Sequence, residues 1–325
     1  MRENIVTSDN FEQYLISHPF IGKPQNLYNS MNYIMQLGGK RMRPKLLLLA
    51  YQCVANELNQ DAYKLALAIE TFHNFSLVHD DIIDNAPIRR GKNTVHKEWS
   101  VATAILSGDN LLVKSIELIM NTSFANKDKL LNEFLMLSQQ VCEGQQIDLN
   151  LPTQEIITEE EYLEMIRLKT AVLPAAALRM GAMAAGANSE NGDLYYDFGL
   201  NLGMAFQLQD DYLDCFGNSS ETGKLEGGDI IENKRTIMYL HALKNLNSED
   251  KDKLQSWYDN PAHDNDMKVK SVRDLFKKAG SDNYLLKLKA EFEDCALSNL
   301  DKACHDSETK QQILSLFELL KTRTA

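Results

Sequence analysis

Between residues 76 and 92 the chain reads SLVHDDIIDNAPIRRGK. Asp80, Asp81 and Asp84 fall within five positions, and Arg89, Arg90 and Lys92 follow closely. Dense charge of both signs suits a site that holds a metal with one sign and a phosphate with the other. A solvated helix face has the same composition. On a helix at about 100° per residue, Asp80 and Asp84 share a face, His73 lies two turns earlier on nearly the same meridian, and Asp81 points elsewhere. Like charges at i,i+4 destabilise a helix, yet the chain repeats the arrangement. FQLQDDYLD puts Asp210 and Asp214 on one face, with Phe206 and Gln207 beside it, and Lys224 and Lys234 follow. Hard divalent cations compensate such pairs. Mg²⁺ prefers oxygen, keeps much of its water, and takes one or two carboxylates plus substrate phosphates. Two aspartate-rich helices facing each other would clamp a diphosphate through several Mg²⁺ ions, and arginine forks match phosphate oxygens. GGKRMRP, residues 38–44, adds a third cluster in which Lys40, Arg41 and Arg43 open a helix. Its amides and dipole also favour anions. Gly38 and Gly39 either bring the backbone close to a ligand or cap the preceding helix.

The elements that must carry these residues read as helices. Only seven prolines occur in 325 residues. Long stretches, such as YKLALAIETFHNFSLVHDDIID and LYYDFGLNLGMAFQLQDDYLDCFG, repeat apolar residues at three and four and are apolar on most faces. No convincing strand alternation occurs. The pattern predicts an all-α bundle with a buried centre, one domain over residues 1–325. Loops are expected at 85–94, 217–229 and 258–267. Pro174 predicts a kink or break near Ala171–Pro174. A net charge of -12 argues against nucleic acid as a partner. No apolar run reaches the length of a membrane span, and the first twenty residues do not resemble a secretory leader. A soluble, cytoplasmic protein is expected. Cys53, Cys142, Cys215, Cys295 and Cys304 are odd in number and scattered, without a CxxC pair, and read as reduced thiols, not staples or zinc ligands.

Taken together, GGKRMRP, SLVHDDIIDNAPIRRGK, GMAFQLQDDYLDCFG and GKLEGGDIIENK resemble, in the expected order, the motifs of the trans-isoprenyl diphosphate synthases, the polyprenyl synthetase family, of the short-chain farnesyl/geranylgeranyl type. The likeness runs from GGKRMRP to about Lys234. It implies an isoprenoid synthase-type helical bundle around a deep central cavity, a homodimer, and Mg²⁺-dependent head-to-tail condensation of isopentenyl diphosphate with an allylic diphosphate. By motif, Asp80, Asp84 and Asp210 would hold Mg²⁺, with Asp81 and Asp214 in support. Lys40, Arg43, His73 and Arg90 would bind isopentenyl diphosphate. Arg89, Lys169, Thr170, Gln207, Lys224 and Lys234 would serve the allylic diphosphate. Two departures stand out: Ala171 and Pro174 in KTAVLPAA, and Asn93 where proline is common.

Bulk just before the first aspartate motif limits product length in this family. Phe75, five residues before Asp80, with Ser76 at four, resembles farnesyl-producing members, so farnesyl diphosphate (C15) is expected ahead of geranylgeranyl diphosphate (C20). The same wheel puts Phe75 well round from the Asp80 face, where it would be ordinary core. Two rivals are a class I terpene cyclase, which lacks the need for a second diphosphate site, and a non-catalytic subunit of a heteromeric synthase, which would be expected to lose one aspartate motif.

Overall fold

The computed structural model describes residues 8–154, 156–217, 227–259 and 264–321. Among the described residues the fold is all-α apart from one two-stranded hairpin. In chain order the helices are α1 (Ser8–Ser17), α2 (Gln25–Gln36), α3 (Met42–Ala55), α4 (Gln60–Ile83), α5 (Val95–Glu98), α6 (Val101–Met120), α7 (Lys127–Asn150), α8 (Glu159–Ile166), α9 (Val172–Ala184) and α10 (Ser189–Phe216). Then come α11 (Gly228–Ile231), α12 (Ile237–Asn245), α13 (Ser248–Asp259), α14 (Asn265–Ala279), α15 (Ser281–Ala303) and α16 (Ser307–Lys321). Among the described residues no helix is long and apolar enough to cross a membrane. The chain groups into two compact units: residues 1–136, 176–196 and 303–313, and residues 137–175, 197–302 and 314–325.

In the first unit α4 is the central element. Asn59 caps it by accepting the Ala62 amide at 2.8 Å. Leu65, Ala66, Ile69 and Phe72 are fully buried, and α3 and α6 pack against it. Because α4 is apolar nearly all round, it is covered on most sides and still delivers Asp80 to its last turn. The loop expected at 85–94 contains strands β1 (Ile88–Arg89) and β2 (Lys92–Asn93), paired antiparallel with Arg89 opposite Lys92. Arg90 and Gly91 turn the hairpin at φ 52° and 76°, the positive pair that matches strand twist in a two-residue turn. Two-residue strands leave no alternation to read in a sequence.

The reading of all five cysteines as reduced is corrected in this unit. Cys53, near the end of α3, is joined to Cys304, just past α15, across 251 residues of sequence. Spacing cannot reveal a partner that only the fold supplies. Cys142, Cys215 and Cys295 are free thiols.

In the second unit a full capping box starts α8: the Thr158 hydroxyl accepts the Glu161 amide, and the Glu161 carboxylate accepts the Thr158 amide. The break expected near Pro174 is present as a single π turn over Arg167–Ala171 between α8 and α9, in which the Val172 amide reaches back to the Arg167 carbonyl. Proline has no N–H for the Thr170 carbonyl four residues earlier, so the regular ladder lapses there. The described segments after residue 240, which carry no motif, lie in helices α12 to α16 and their short connections.

Candidate active site

One cluster of singled-out residues lies in the first unit, where Gly38–Arg43, the end of α4 and the hairpin meet. Gly38 and Gly39 take φ of 80° and 121°. A Cβ on Gly39 would lie 2.8 Å from Arg90 Cζ, so the glycine admits the guanidinium. Arg90 Nη1 donates to the Gly38 carbonyl. Arg43 Nη1 lies 3.2 Å from His73 Nε2, and Arg43 Nε is buried without a hydrogen-bond partner. Burial pushes the His73 imidazole well below its ordinary range, and Arg43, Arg90, Arg89 and Arg41 push it further. Burial also lowers the Arg43 and Arg90 guanidinium values, opposed by Glu70. Four guanidinium groups around one neutral imidazole, with a buried donor unmet, form a cluster that an anion would relieve.

Arg41 is not offered to that anion. It is 4% exposed, pairs with Glu70 at 2.6 Å and Glu12 at 3.0 Å, and donates to the Met35 carbonyl. It pins the glycine loop, while Lys40 is exposed and Arg43 half-buried. Asp81, 1% exposed, receives Arg89 through two close contacts, Nε–Oδ1 at 2.8 Å and Nη2–Oδ1 at 2.7 Å. Of the expected carboxylates, the structure thus commits Asp81 to an arginine. Asp80 is half-buried, and Asp84 is exposed at the end of α4. Phe75 is 8% exposed and packs against Phe72 and His79 at 5.4 and 4.9 Å between ring centroids. The Ser76 hydroxyl donates to the His73 carbonyl at 2.9 Å.

A second cluster lies in the second unit around a cavity of about 150 Å³, lined by Lys169, Thr170, Gln207, Asp211, Asp229 and Lys234 among others. Four of these six are positions the sequence singled out. Lys169 Nζ donates to Asp148 at 2.5 Å. Thr170 Oγ1 donates to Gln207 Oε1 at 3.1 Å, and Gln207 Nε2 donates to Asp211 Oδ1 at 3.0 Å. The buried Tyr162 hydroxyl donates to Asp211 Oδ2. Burial raises the Asp211 carboxyl to about 7; Tyr162 and Gln207 pull it back, and Asp229 and Asp214 push it up. Lys234 pairs with Asp229 and Glu232, both at 3.0 Å. Burial pulls its amine down, but those two carboxylates hold it above the ordinary lysine value.

Asp210 is half-buried on α10. Asp214, one turn later, accepts the Asp229 amide at 2.8 Å and so anchors the start of α11. Lys224 lies outside the described residues. Sequence reasoning missed Asp148, Tyr162, Asp211 and Asp229. Asp211 was visible as the residue four after Gln207, on its face of the helix; the others have no motif-level signal in a single sequence.

Among the described residues no three His, Cys, Asp or Glu side chains lie together as a ready metal cage. Each aspartate motif instead presents a pair one turn apart, Asp80 with Asp84 and Asp210 with Asp214. That donor set fits a hard cation that brings its own water and phosphate ligands.

Residues 24–276 match the family model described as polyprenyl synthetase. The chain is similar to the geranylfarnesyl diphosphate synthase of Natronomonas pharaonis, 34% identical over 321 residues that cover 94% of this chain and 92% of that one. It is also similar to a geranylgeranyl pyrophosphate synthase of known crystal structure, with a TM-score of 0.91, 38% identity and 98% of each chain covered. A polyprenyl synthase from Caulobacter crescentus, solved with calcium and isoprenyl diphosphate, gives a TM-score of 0.85 and 29% identity, covering 98% of this chain and 94% of that one.

Proposed function

The chain belongs to the polyprenyl synthetase family and is a prenyltransferase of isoprenoid biosynthesis, and on that premise we propose that it joins isopentenyl diphosphate head-to-tail to an allylic diphosphate. The observation that carries the reading is a pair of distinct basic clusters: arginines around His73 in one unit, Lys169 and Lys234 around a cavity in the other. Two clusters suit two diphosphate substrates. A terpene cyclase has one diphosphate to bind, and a non-catalytic subunit has no need of both aspartate motifs.

Lys40, Arg43, His73 and Arg90 hold isopentenyl diphosphate; the neutral imidazole donates a hydrogen bond where a fourth cation is not needed. Arg89, Lys169, Thr170, Gln207, Lys224 and Lys234 hold the allylic diphosphate. Asp80, Asp84 and Asp210 hold Mg²⁺, with Asp214 in support, while Asp81 serves by fixing Arg89. When bound, the cation supplies Lewis-acid polarisation of the leaving phosphate oxygens. The basic side chains orient the pyrophosphate as the allylic C–O bond breaks. The double bond of isopentenyl diphosphate attacks the allylic carbon, and the departed pyrophosphate takes a proton from the new chain to restore the alkene.

The product we propose is C20. Sequence bulk put C15 first, but a relative similar over nearly the whole chain is named for a C25 product and a structural neighbour for C20. Phe75 sits in an aromatic cluster with Phe72, which in turn packs against Phe134, so it shares the walls of the unit's core and does not stand alone as a stop. Phe75→Ala is expected to lengthen the product by one or more C5 units; an unchanged product would place the limit elsewhere. A second copy of the chain is the proposed partner. Ile105, Leu106 and Val113 on α6 and Leu135 and Met136 on α7 leave large apolar side chains exposed in one unit. Sedimentation equilibrium giving a monomer mass would remove that partner.

The deciding experiment supplies the purified chain with Mg²⁺, labelled isopentenyl diphosphate and dimethylallyl, geranyl or farnesyl diphosphate, then resolves products by length. A C20 product is expected. A C15 product would restore the order the sequence suggested. No consumption of isopentenyl diphosphate with any primer would defeat the reading.

A further inference from the structure

Lys169 and Thr170 sit on the π turn Arg167–Ala171, and the parts of two helices that belong to the second unit touch that turn in the same way. On α7, Gly144 lies against its backbone: a Cβ there would be 2.4 Å from Lys169 N and 2.7 Å from Leu168 C. Four residues on, Asp148 takes the Lys169 amine at 2.5 Å. On α10, Gly203 lies against the other end: a Cβ there would be 2.5 Å from Ala171 Cα and 2.8 Å from Ala171 Cβ. Four residues on, Gln207 accepts the Thr170 hydroxyl at 3.1 Å. Residues four apart share a helix face. Each helix therefore brings a bare backbone against the turn and, one turn later, a polar side chain against a residue of that turn.

From this repeated arrangement we propose that Gly144 and Gly203 are positioning residues for the allylic diphosphate, a two-sided clamp that fixes where the π turn presents Lys169 and Thr170. The proposal rests on the reading of this cavity as the allylic site. A π turn has one residue too many for the helical ladder and so no single preferred register of its own. Pro174 interrupts the ladder but does not say how far the turn stands from α7 and α10. The two glycines do, because backbone contact on both sides leaves no slack. A methyl group at either position would need the helix or the turn to move, since contacts of 2.4–2.5 Å are not tolerated. Displacements well under 1 Å matter to a group that aligns a reacting phosphate, where about 1 Å of misplacement costs on the order of a hundredfold.

The test is Gly144→Ala and Gly203→Ala, with substrate constants measured separately for each diphosphate and thermal unfolding as a check on folding. Each variant is expected to raise KM for the allylic diphosphate about tenfold while KM for isopentenyl diphosphate stays within about twofold. Gly192→Ala on the same α10, where a Cβ meets Arg179 Cγ at 3.8 Å and Met183 Cγ at 3.9 Å, is expected to change neither constant. Equal rises in both constants, or an unchanged allylic KM, would overturn the clamp. Ala171→Gly loosens the Gly203 contact without adding an atom, so it reports on the clamp even where an overpacked variant does not fold; its allylic KM is expected to rise about threefold, and no change would count against the proposal. If the wild-type chain shows no turnover, the functional reading has failed on its own account. The clamp is then read by calorimetric titration with inorganic pyrophosphate and Mg²⁺: weaker binding in both glycine variants than in wild type supports it, and equal binding overturns it.

Discussion

The two aspartate motifs share the pattern D-D-x-x-D, but their middle aspartates are neutralised in opposite ways. Asp81, 1% exposed, has a guanidinium locked onto it. Asp211, 3% exposed, instead takes hydrogen bonds from Tyr162 and Gln207, and burial raises its carboxyl to about 7. The surroundings follow the same division. In the first unit burial and then arginines push an imidazole down; in the second, burial and then carboxylates push a carboxyl up, and carboxylates hold a lysine charged. A repeated motif is thus not a repeated chemical environment. The first cluster pairs Arg41 and Arg89 with carboxylates but leaves a buried Arg43 donor unmet, whereas the second pairs Lys169 and Lys234 with its own carboxylates.

The strongest way to break this comparison is to remove the outer aspartates, the only members expected to act alike. Asp80→Ala and Asp210→Ala should each cut turnover about 10²–10³-fold, because charge stabilisation at a leaving group acts mainly in the transition state. Steady-state turnover with saturating Mg²⁺ measures it. A large loss in one variant and near-normal rate in the other would show that only one motif serves the chemistry.

The middle aspartates should separate instead. Asp81→Asn leaves Arg89 without its counter-charge. Removing one partner of a well-buried pair costs several kcal/mol, but Arg89 keeps 27% exposure, so about 2 kcal/mol is expected. Asp211→Asn keeps an acceptor for Tyr162 and removes a charge that burial already disfavours, so less than about 1 kcal/mol is expected. Urea unfolding in EDTA reads both. Equal losses would erase the distinction.

Much of this was legible in the sequence, and the limits have physical causes. The helical period and the i,i+4 aspartate pairs are local, so α4, α10 and their charged faces could be read directly. Pro174 is also local, and it predicted a break, though not that the break would be a π turn. Lys169, Thr170, Gln207 and Lys234 were singled out by resemblance and do line one cavity. What escaped depends on contacts distant in sequence. Arg41 differs from Arg43 only because Glu12 and Glu70 reach it. Asp148 meets Lys169 across 21 residues, Tyr162 meets Asp211 across 49, and Cys53 meets Cys304 across 251. No spacing rule in one chain encodes such pairs.

The smallest effect sharpens the contrast between the clusters, since it concerns a group pushed down by cations. The His73 pKa is lowered by burial and by Arg43, Arg90, Arg89 and Arg41, whereas an unfolded histidine titrates at the ordinary value of 6.5. Between 6.5 and the depressed folded value, the unfolded chain binds a proton at His73 that the folded chain does not. Stability from this group is therefore complete above 6.5 and is lost as pH falls through that window, at up to about 1.4 kcal/mol per pH unit. His73→Gln removes the titration and keeps a polar side chain beside Arg43. Relative to this variant, wild type should lose about 1 kcal/mol on going from pH 7.5 to 5.5 in metal-free urea unfolding. Parallel pH profiles for the two proteins would mean that an anion or water already relieves the arginine cluster in solution, and that the first cluster is less cationic than its four guanidinium groups imply.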